Sequence, residues 1–339
     1  MTIEDVARAV GTSTASVSRA LNGQRGVSRE LVERIRAAAT ELGYAPNVAA
    51  QQLRQSRTKL IAIVVSDLAN IIRNAWVQAA EERAEELGYN VVLVDVRLSS
   101  AALDRTLDYL MGQPLEGVVV ASSIALPPDR IEALRRRGIP IVPEGVADPA
   151  QYQRDRRQIE RDAVRDMVKY LAHTGHSGLV TITHSRYSEG DARLLDIRNA
   201  VLRELCDQEG IGFTRVTDTG PADTAAEVRR LALESGGIAV VSLTHFEVPW
   251  CLQLLRDAGL RLPDDVSFVT FGDSEWARAW NPPLSVVARD MQADARRYID
   301  VVVAQIEGEP VADENVSVAV PSQFILRGST PDRRPRRTR

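Results

Sequence analysis

The sequence predicts an α/β chain in two parts: an all-α head, then a two-lobed body of doubly wound parallel sheet. Three observations carry this. Residues 1–46 show only the three-to-four-residue spacing of amphipathic helices. Beyond residue 59, short β-branched runs alternate with longer amphipathic stretches, the pattern of parallel strands joined by crossover helices. That alternation occurs as two similar series in succession, which implies two lobes. At 339 residues, 44% apolar and 26% charged, the chain suits a small module joined to a larger folded body.

In the head, Thr2 and Asp5 read as a capping box, after which Ile3, Val6, Ala7 and Val10 share one helical face and Gly11 ends the helix. Ser13 can cap a second helix with Val17 and Leu21 turned inward. So short a link between helices is the mark of a helix-turn-helix. Ser28 opens a third helix with Leu31, Ile35, Ala38 and Leu42 on its inner face, and Gly43-Tyr44-Ala45-Pro46 stops it. The polar face of the second helix carries Thr14, Ala15, Ser16, Ser18, Arg19 and Asn22. Small hydroxyls allow close approach to a DNA major groove, Ala15 or the Thr14 methyl can touch a thymine methyl, and Arg19 can reach guanine O6 and N7. Taken alone, this face also fits an ordinary solvated helix.

Strands are expected at Leu60–Val65, Asn90–Val94, Gly117–Ala121 and Ile139–Val142 in the first lobe. In the second they fall at Leu179–Thr183, Phe213–Val216, Ile238–Leu243 and Val266–Phe271. Helices lie between them near 74–88, 102–112, 129–137, 160–174, 191–208, 223–235 and 247–258. A helix at about 290–307 and a strand at 316–320 take the chain back across the lobes. The expected layout is a head at 1–46, a linker at 47–57 and a body at 58–330. Lobe 1 takes about 58–155 and 288–315, and lobe 2 about 156–287 and 316–330. The Pro- and Arg-rich residues 331–339 are expected to be a disordered basic tail.

The net charge of −4 hides an asymmetry. Residues 1–60 hold nine Arg or Lys against five acids, a net of +4, so the remainder carries −8. A basic head can gain from releasing the counterions of a polyanion, while an acidic body is repelled from it. No export signal or membrane-length apolar run is found, so the expected location is the cytoplasm. Cys206 and Cys251 lack metal-ligand or C-x-x-C spacing and read as reduced thiols. There is no G-x-S-x-G elbow, phosphate loop or G-x-G-x-x-G after a strand, and the four histidines form no metal motif. Accordingly no catalytic residue, cofactor or metal is expected, and the chain reads as no enzyme.

The run IEDVARAVGTSTASVSRALNGQRGVSRELVERIRAAATELGYAPNVAAQQLR, residues 3–54, resembles the head and hinge of the lactose-repressor (LacI/GalR) family. The likeness rests on VSR-x-LN, Val27-Ser28, the LGY-x-PN turn at Leu42 to Asn47, and A-x-x-L at Ala50 to Leu53. It continues more weakly through Gly175-His176, Pro282-Pro283-Leu284-Ser285 and Leu326 to Thr330. The resemblance implies a transcriptional regulator, a repressor that binds a palindromic operator as a homodimer, with a type I periplasmic-binding-protein-like body that takes a small-molecule effector. It places Thr14, Ala15 and Arg19 at base-reading positions, and Ser16, Ser18, Asn22 and Ser28 at phosphates or helix caps. It also implies that Asn47 to Arg54 becomes a helix only on specific DNA, inserting Leu53 as a wedge in the minor groove. A segment this short with no core of its own is marginal as a free helix, which fits such coupling.

Ligands of open parallel sheets sit outside the carboxyl ends of the strands. The candidates there are Ser66 and Asp67, Ser122 and Ser123, and Glu144 in lobe 1, then His184 and Arg186, Thr244 and His245, and Gly272 and Asp273 in lobe 2. Arg193 matches the arginine with which the family grips effectors, and Trp276 with Trp280 could supply stacking. The departures point away from a typical free sugar. The family's Asn-Asp pair is Thr244-His245, its sugar-binding aspartate is Gly272, its aromatic pair is replaced by Ile71 and Ile72, and its glycine pair by Ala163 and Val164. The effector is therefore expected to be a different metabolite, anionic if held by Arg193, Arg186 and His184. The alternative is a body that works without an effector or senses a protein partner.

Overall fold

In the computed structural model the chain divides into two compact units, Met1–Thr58 and Lys59–Arg339. Residues 1–21, 26–44, 57–97, 99–122, 126–144, 149–183, 189–310 and 319–334 are described.

In the first unit, α1 (Ile3–Val10) is capped as its sequence dictates. Thr2 Oγ1 accepts from Asp5 N at 3.3 Å, and the Asp5 carboxylate accepts from Thr2 N at 2.9 Å. Such a cap is worth about 1 kcal/mol. Gly11, at φ +71°, ends the helix in the left-handed region. α2 (Thr14–Leu21) starts on Ser13, whose Oγ accepts from Ser16 N, and α3 (Arg29–Glu41) on Ser28, whose Oγ accepts from Leu31 N. Val6, Val17 and Ile35 are fully buried where the helices meet. Ala20 and Ala39 are the other deeply buried positions of α2 and α3, with Leu21 and Ala38 packed at the margin. Small residues at a helix crossing let the axes approach closely, so the alanines take the centre. Arg34 Nη2 donates to Val10 O at 3.1 Å, satisfying a carbonyl at the open end of α1. The hinge expected at 47–57 lies almost wholly outside the described residues.

The second unit contains two sheets. The first has strands β1 (Leu60–Val65), β2 (Asn90–Asp95), β3 (Gly117–Ala121) and β4 (Ile141–Pro143) in the order β2-β1-β3-β4, all parallel. β1 reads as one continuous apolar run because both its faces are covered. Ile61, Ile63 and Val65 pack with Trp76 and Tyr298, from α4 (Ile71–Glu86) and α12 (Met291–Glu307). Ala62 and Val64 pack with Leu107 and Leu134, from α5 (Ser100–Met111) and α6 (Pro128–Arg136).

α7 (Pro149–His173) leads into the second sheet: β5 (Gly178–Thr183), β6 (Gly212–Thr217), β7 (Ile238–Ser242), β8 (Ser267–Phe271), β9 (Ser285–Ala288) and β10 (Gln323–Ile325). Their order is β10-β9-β8-β7-β5-β6, parallel except for the β9–β10 pair. α7 and α8 (Glu189–Glu209) share a core on one face, and α9 (Pro221–Ser235) and α10 (Val248–Asp257) on the other. A short α11 (Glu275–Ala279) follows β8.

Three features depart from expectation. β9 was not foreseen, since four residues directly after Pro282-Pro283 give too short a pattern to register. Residues 316–318 of the strand expected at 316–320 lie outside the described residues, and Ala319 and Val320 are not in a strand; pairing with β9 occurs instead at Gln323–Ile325. The expected disordered tail does not hold for residues 331–334. Arg333 donates through its backbone N to Thr174 O at 2.8 Å and through Nη2 to Pro263 O at 2.6 Å. The guanidinium satisfies carbonyls of a turn, so its charge fixes the segment rather than solvating it. Residues 335–339 lie outside the described residues.

Candidate functional site

α2 presents Thr14, Ala15 and Arg19 to solvent with Ser16 and Ser18 half-buried, while Val17 and Ala20 face the core. Residues at positions one, two, five and six of a helix share a face, so Thr14, Ala15, Ser18 and Arg19 form one stripe. Arg19 Nε donates to Ala15 O at 3.3 Å, laying the side chain along that stripe. Ser28 serves as the cap of α3. Asn22, Asn47, Ala50 and Leu53 lie outside the described residues.

In the body, the carboxyl ends of the two sets of strands enclose a hollow of about 130 Å³. Of the residues expected after strands, it gathers Ser66, Asp67, Thr244, His245 and Gly272. Arg73, Glu160, Arg198 and Arg289 also line it, and the sequence reading missed all four. Arg73 lies in the first turn of α4, where the helix dipole disfavours a cation. A carboxylate from elsewhere in the fold holds it.

The carboxylate is Glu144. It accepts from Arg73 Nη2 and from Arg289 Nη2, each at 3.0 Å, and all three side chains are about nine-tenths buried or more. Arg289 also approaches Asp294 at 3.4 Å, and Asp294 accepts from Trp76 Nε1 at 2.9 Å. Across the hollow, Arg198 Nε donates to Glu160 at 2.9 Å, with its guanidinium 4.2 Å from the Phe271 ring centre. These charges are paired within the protein, as burial requires.

Two imidazoles are held neutral. Burial, then the nearby Arg333, pushes His176 down to about 4; burial, then Arg198 and Arg73, does the same to His245. An unfolded histidine titrates near 6.5. The folded body therefore binds fewer protons than the unfolded chain between these values. Stability is fully present above about pH 6.5 and falls as pH drops towards 4, by on the order of a few kcal/mol for the pair. Urea midpoints measured across pH 4–7.5 should decline on the acid side, and a flat profile would count against these environments.

The remaining expected effector residues are placed as follows. Glu144 stands behind the hollow and acts through Arg73 and Arg289. Thr244 lines the hollow, its hydroxyl 3.4 Å from Glu247. Asp273 requires correction as a free ligand acceptor. Burial alone would raise its carboxyl, but Arg327 at 2.8 Å and Arg278 at 2.9 Å hold it below the ordinary carboxylate range. Trp276 is also corrected, because it packs against the lobe 2 core and lines a separate outer hollow with Trp280, formed with residues of α10. His184 and Arg186 lie outside the described residues, as does the side chain of Arg193, a residue of α8. Gly272 sits at φ +91°, and a Cβ there would collide with Ile72 Cδ1 from lobe 1. The place of the family's aspartate is thus taken by an isoleucine methyl.

A helix-turn-helix head with an exposed hydroxyl-and-arginine stripe, followed by two mainly parallel sheets whose strand ends enclose a hollow, defines a DNA-binding transcriptional regulator with a periplasmic-binding-protein-like body. Residues 2–47 match the profile of bacterial regulatory proteins of the lacI family, and residues 168–330 that of the periplasmic binding protein-like domain. The head is thus a lacI-family DNA-binding domain, and the body carries a periplasmic binding protein-like domain. It is 29% identical to the HTH-type transcriptional regulator CelR of Thermobifida fusca, across 97% of this chain and 98% of that one. It is 26% identical to the ribose operon repressor of Escherichia coli, across 90% and 93%. The Lac repressor bound to ONPG in the repressed state superposes with a TM-score of 0.76 at 25% identity, covering 97% of this chain and 99% of that one. Among the described residues, no helix is long and apolar enough to cross a membrane, and no group of three or more metal-ligating side chains is found.

Proposed function

We propose that this regulator represses transcription by binding a palindromic operator as a homodimer, with a small molecule in the inter-lobe hollow setting its affinity for DNA. The observation that carries this reading is the stripe of exposed Thr14, Ala15 and Arg19 with half-buried Ser18 on the second helix of a well-capped helix-turn-helix. Thr14, Ala15 and Arg19 read base edges, and Ser16 and Ser18 meet phosphates. Two-fold symmetry then demands two half-sites. Repression is supported by the relatives, one a ribose operon repressor and one a Lac repressor seen with ONPG. The effector differs from a neutral sugar, because Gly272 offers no carboxylate and Ile72 occupies the space.

The test is expression of the genes beside mapped binding sites. Deleting the regulator raises it under this reading, and a fall would contradict repression. For the hinge, Leu53→Ala should weaken specific binding far more than nonspecific binding, since a wedge acts only on bent DNA. Equal loss on both, in titrations of operator and scrambled duplex, would remove the wedge role.

A further inference from the structure

We propose that the ligand of the inter-lobe hollow is a small organic carboxylate, bridged between Arg73 Nη1 of lobe 1 and His245 Nε2 of lobe 2. This rests on the reading of the hollow as the sensor site. Arg73 is only 9% exposed, and its two terminal nitrogens differ in their partners. Nη2 donates to Glu144, whereas Nη1 is buried with no hydrogen-bond partner among the described residues. His245 Nε2 is buried and without a hydrogen-bond partner in the same way. Both side chains line the same hollow. An unmet buried polar atom costs about 1 to 3 kcal/mol, more for a charged group, so two of them on side chains that line one hollow indicate something that arrives to meet them.

The chemistry of that partner follows from what surrounds it. Arg73 can only donate, and His245 donates from Nε2 when the proton sits there, so an acceptor-only group satisfies both. The other cations are already committed: Arg198 to Glu160 and Leu243 O, and Arg289 to Glu144 and Asp294. The remaining charged groups lining the hollow, Asp67 and Glu160, would repel a dianionic phosphate more than a singly charged carboxylate. Space limits the ligand too. The hollow, of about 130 Å³, suits a small acid. One carboxylate held from both walls would tie the lobes together, giving the hollow a closed state that depends on the ligand.

The test is calorimetric titration of the full chain, without DNA, against glycolate, pyruvate, lactate and butyrate, with inorganic phosphate and ribose as comparison arms. At least one carboxylate should bind, and neither phosphate nor ribose should bind as tightly. Arg73→Gln and His245→Gln should each weaken that binding about tenfold or more, with circular dichroism confirming the fold. If Arg73→Gln fails to fold, His245→Gln decides the matter, because His245 holds no buried partner. No binding by any of the four carboxylates, tighter binding of phosphate or ribose, or unchanged binding by the folded variants would overturn the proposal. DNA binding is measured separately, so loss of the sensor reading is distinguishable: a carboxylate that binds without changing operator affinity leaves this ligand class standing and removes the regulatory coupling.

Discussion

Glu144→Ala is expected to destabilise the body by about 3 to 5 kcal/mol, the cost of leaving buried charges without their counterion. The Glu144 side chain is 3% exposed and holds two guanidiniums at once, Arg73 from α4 and Arg289 from the crossing into α12. Its removal leaves Arg73 without its carboxylate beside a second cation, Arg289, which keeps Asp294. Glu144→Gln retains the shape and one acceptor, so a smaller loss is expected. All four tryptophans, Trp76, Trp250, Trp276 and Trp280, belong to the body, so urea unfolding followed by tryptophan fluorescence reports that unit and not the head. A change below about 1 kcal/mol for the alanine variant would mean that the pairing is not the buried network described.

Arg19→Ala should reduce specific operator affinity about tenfold to a hundredfold, the equivalent of one good contact to a base pair, and relax discrimination at one position in each half-site. The head should stay folded, because Arg19 is exposed and the core of Val6, Val17 and Ile35 is untouched. Arg19→Lys keeps the charge but loses the planar fork, so it should restore nonspecific affinity without restoring base preference. Titrations at one fixed salt concentration separate these outcomes. Equal losses on operator and scrambled DNA would place Arg19 on phosphates instead.

The head was legible almost residue by residue, since its signals are local. Capping pairs such as Thr2 with Asp5, the αL glycine at Gly11 and the spacing of Val6, Val10, Val17 and Ile35 act within a few positions. The sheets were legible where a run was long and flanked by helices, as at β1, and illegible at β9 and β10, whose pairing joins residues far apart in the chain. The hollow was half legible. The rule that ligands sit beyond strand ends found Thr244, His245 and Gly272. It could not find Arg73, Arg198 or Arg289, which reach the hollow from helices and a crossing segment and are fixed by partners distant in sequence. Asp273 and Trp276 misled because adjacency to a strand end does not set the direction of a side chain. Arg327 and Arg278 hold the one, and the lobe 2 core holds the other.

The most direct measurement of the central claim is selection of bound duplexes from a random DNA library by the full chain, followed by sequencing. An inverted repeat is expected, with half-sites related by two-fold symmetry, in which substitution at Thr14 or Ala15 alters the preferred bases and leaves the spacing unchanged. Recovery of duplexes with no common sequence, or of a motif indifferent to substitutions at Thr14, Ala15 and Arg19, would contradict it.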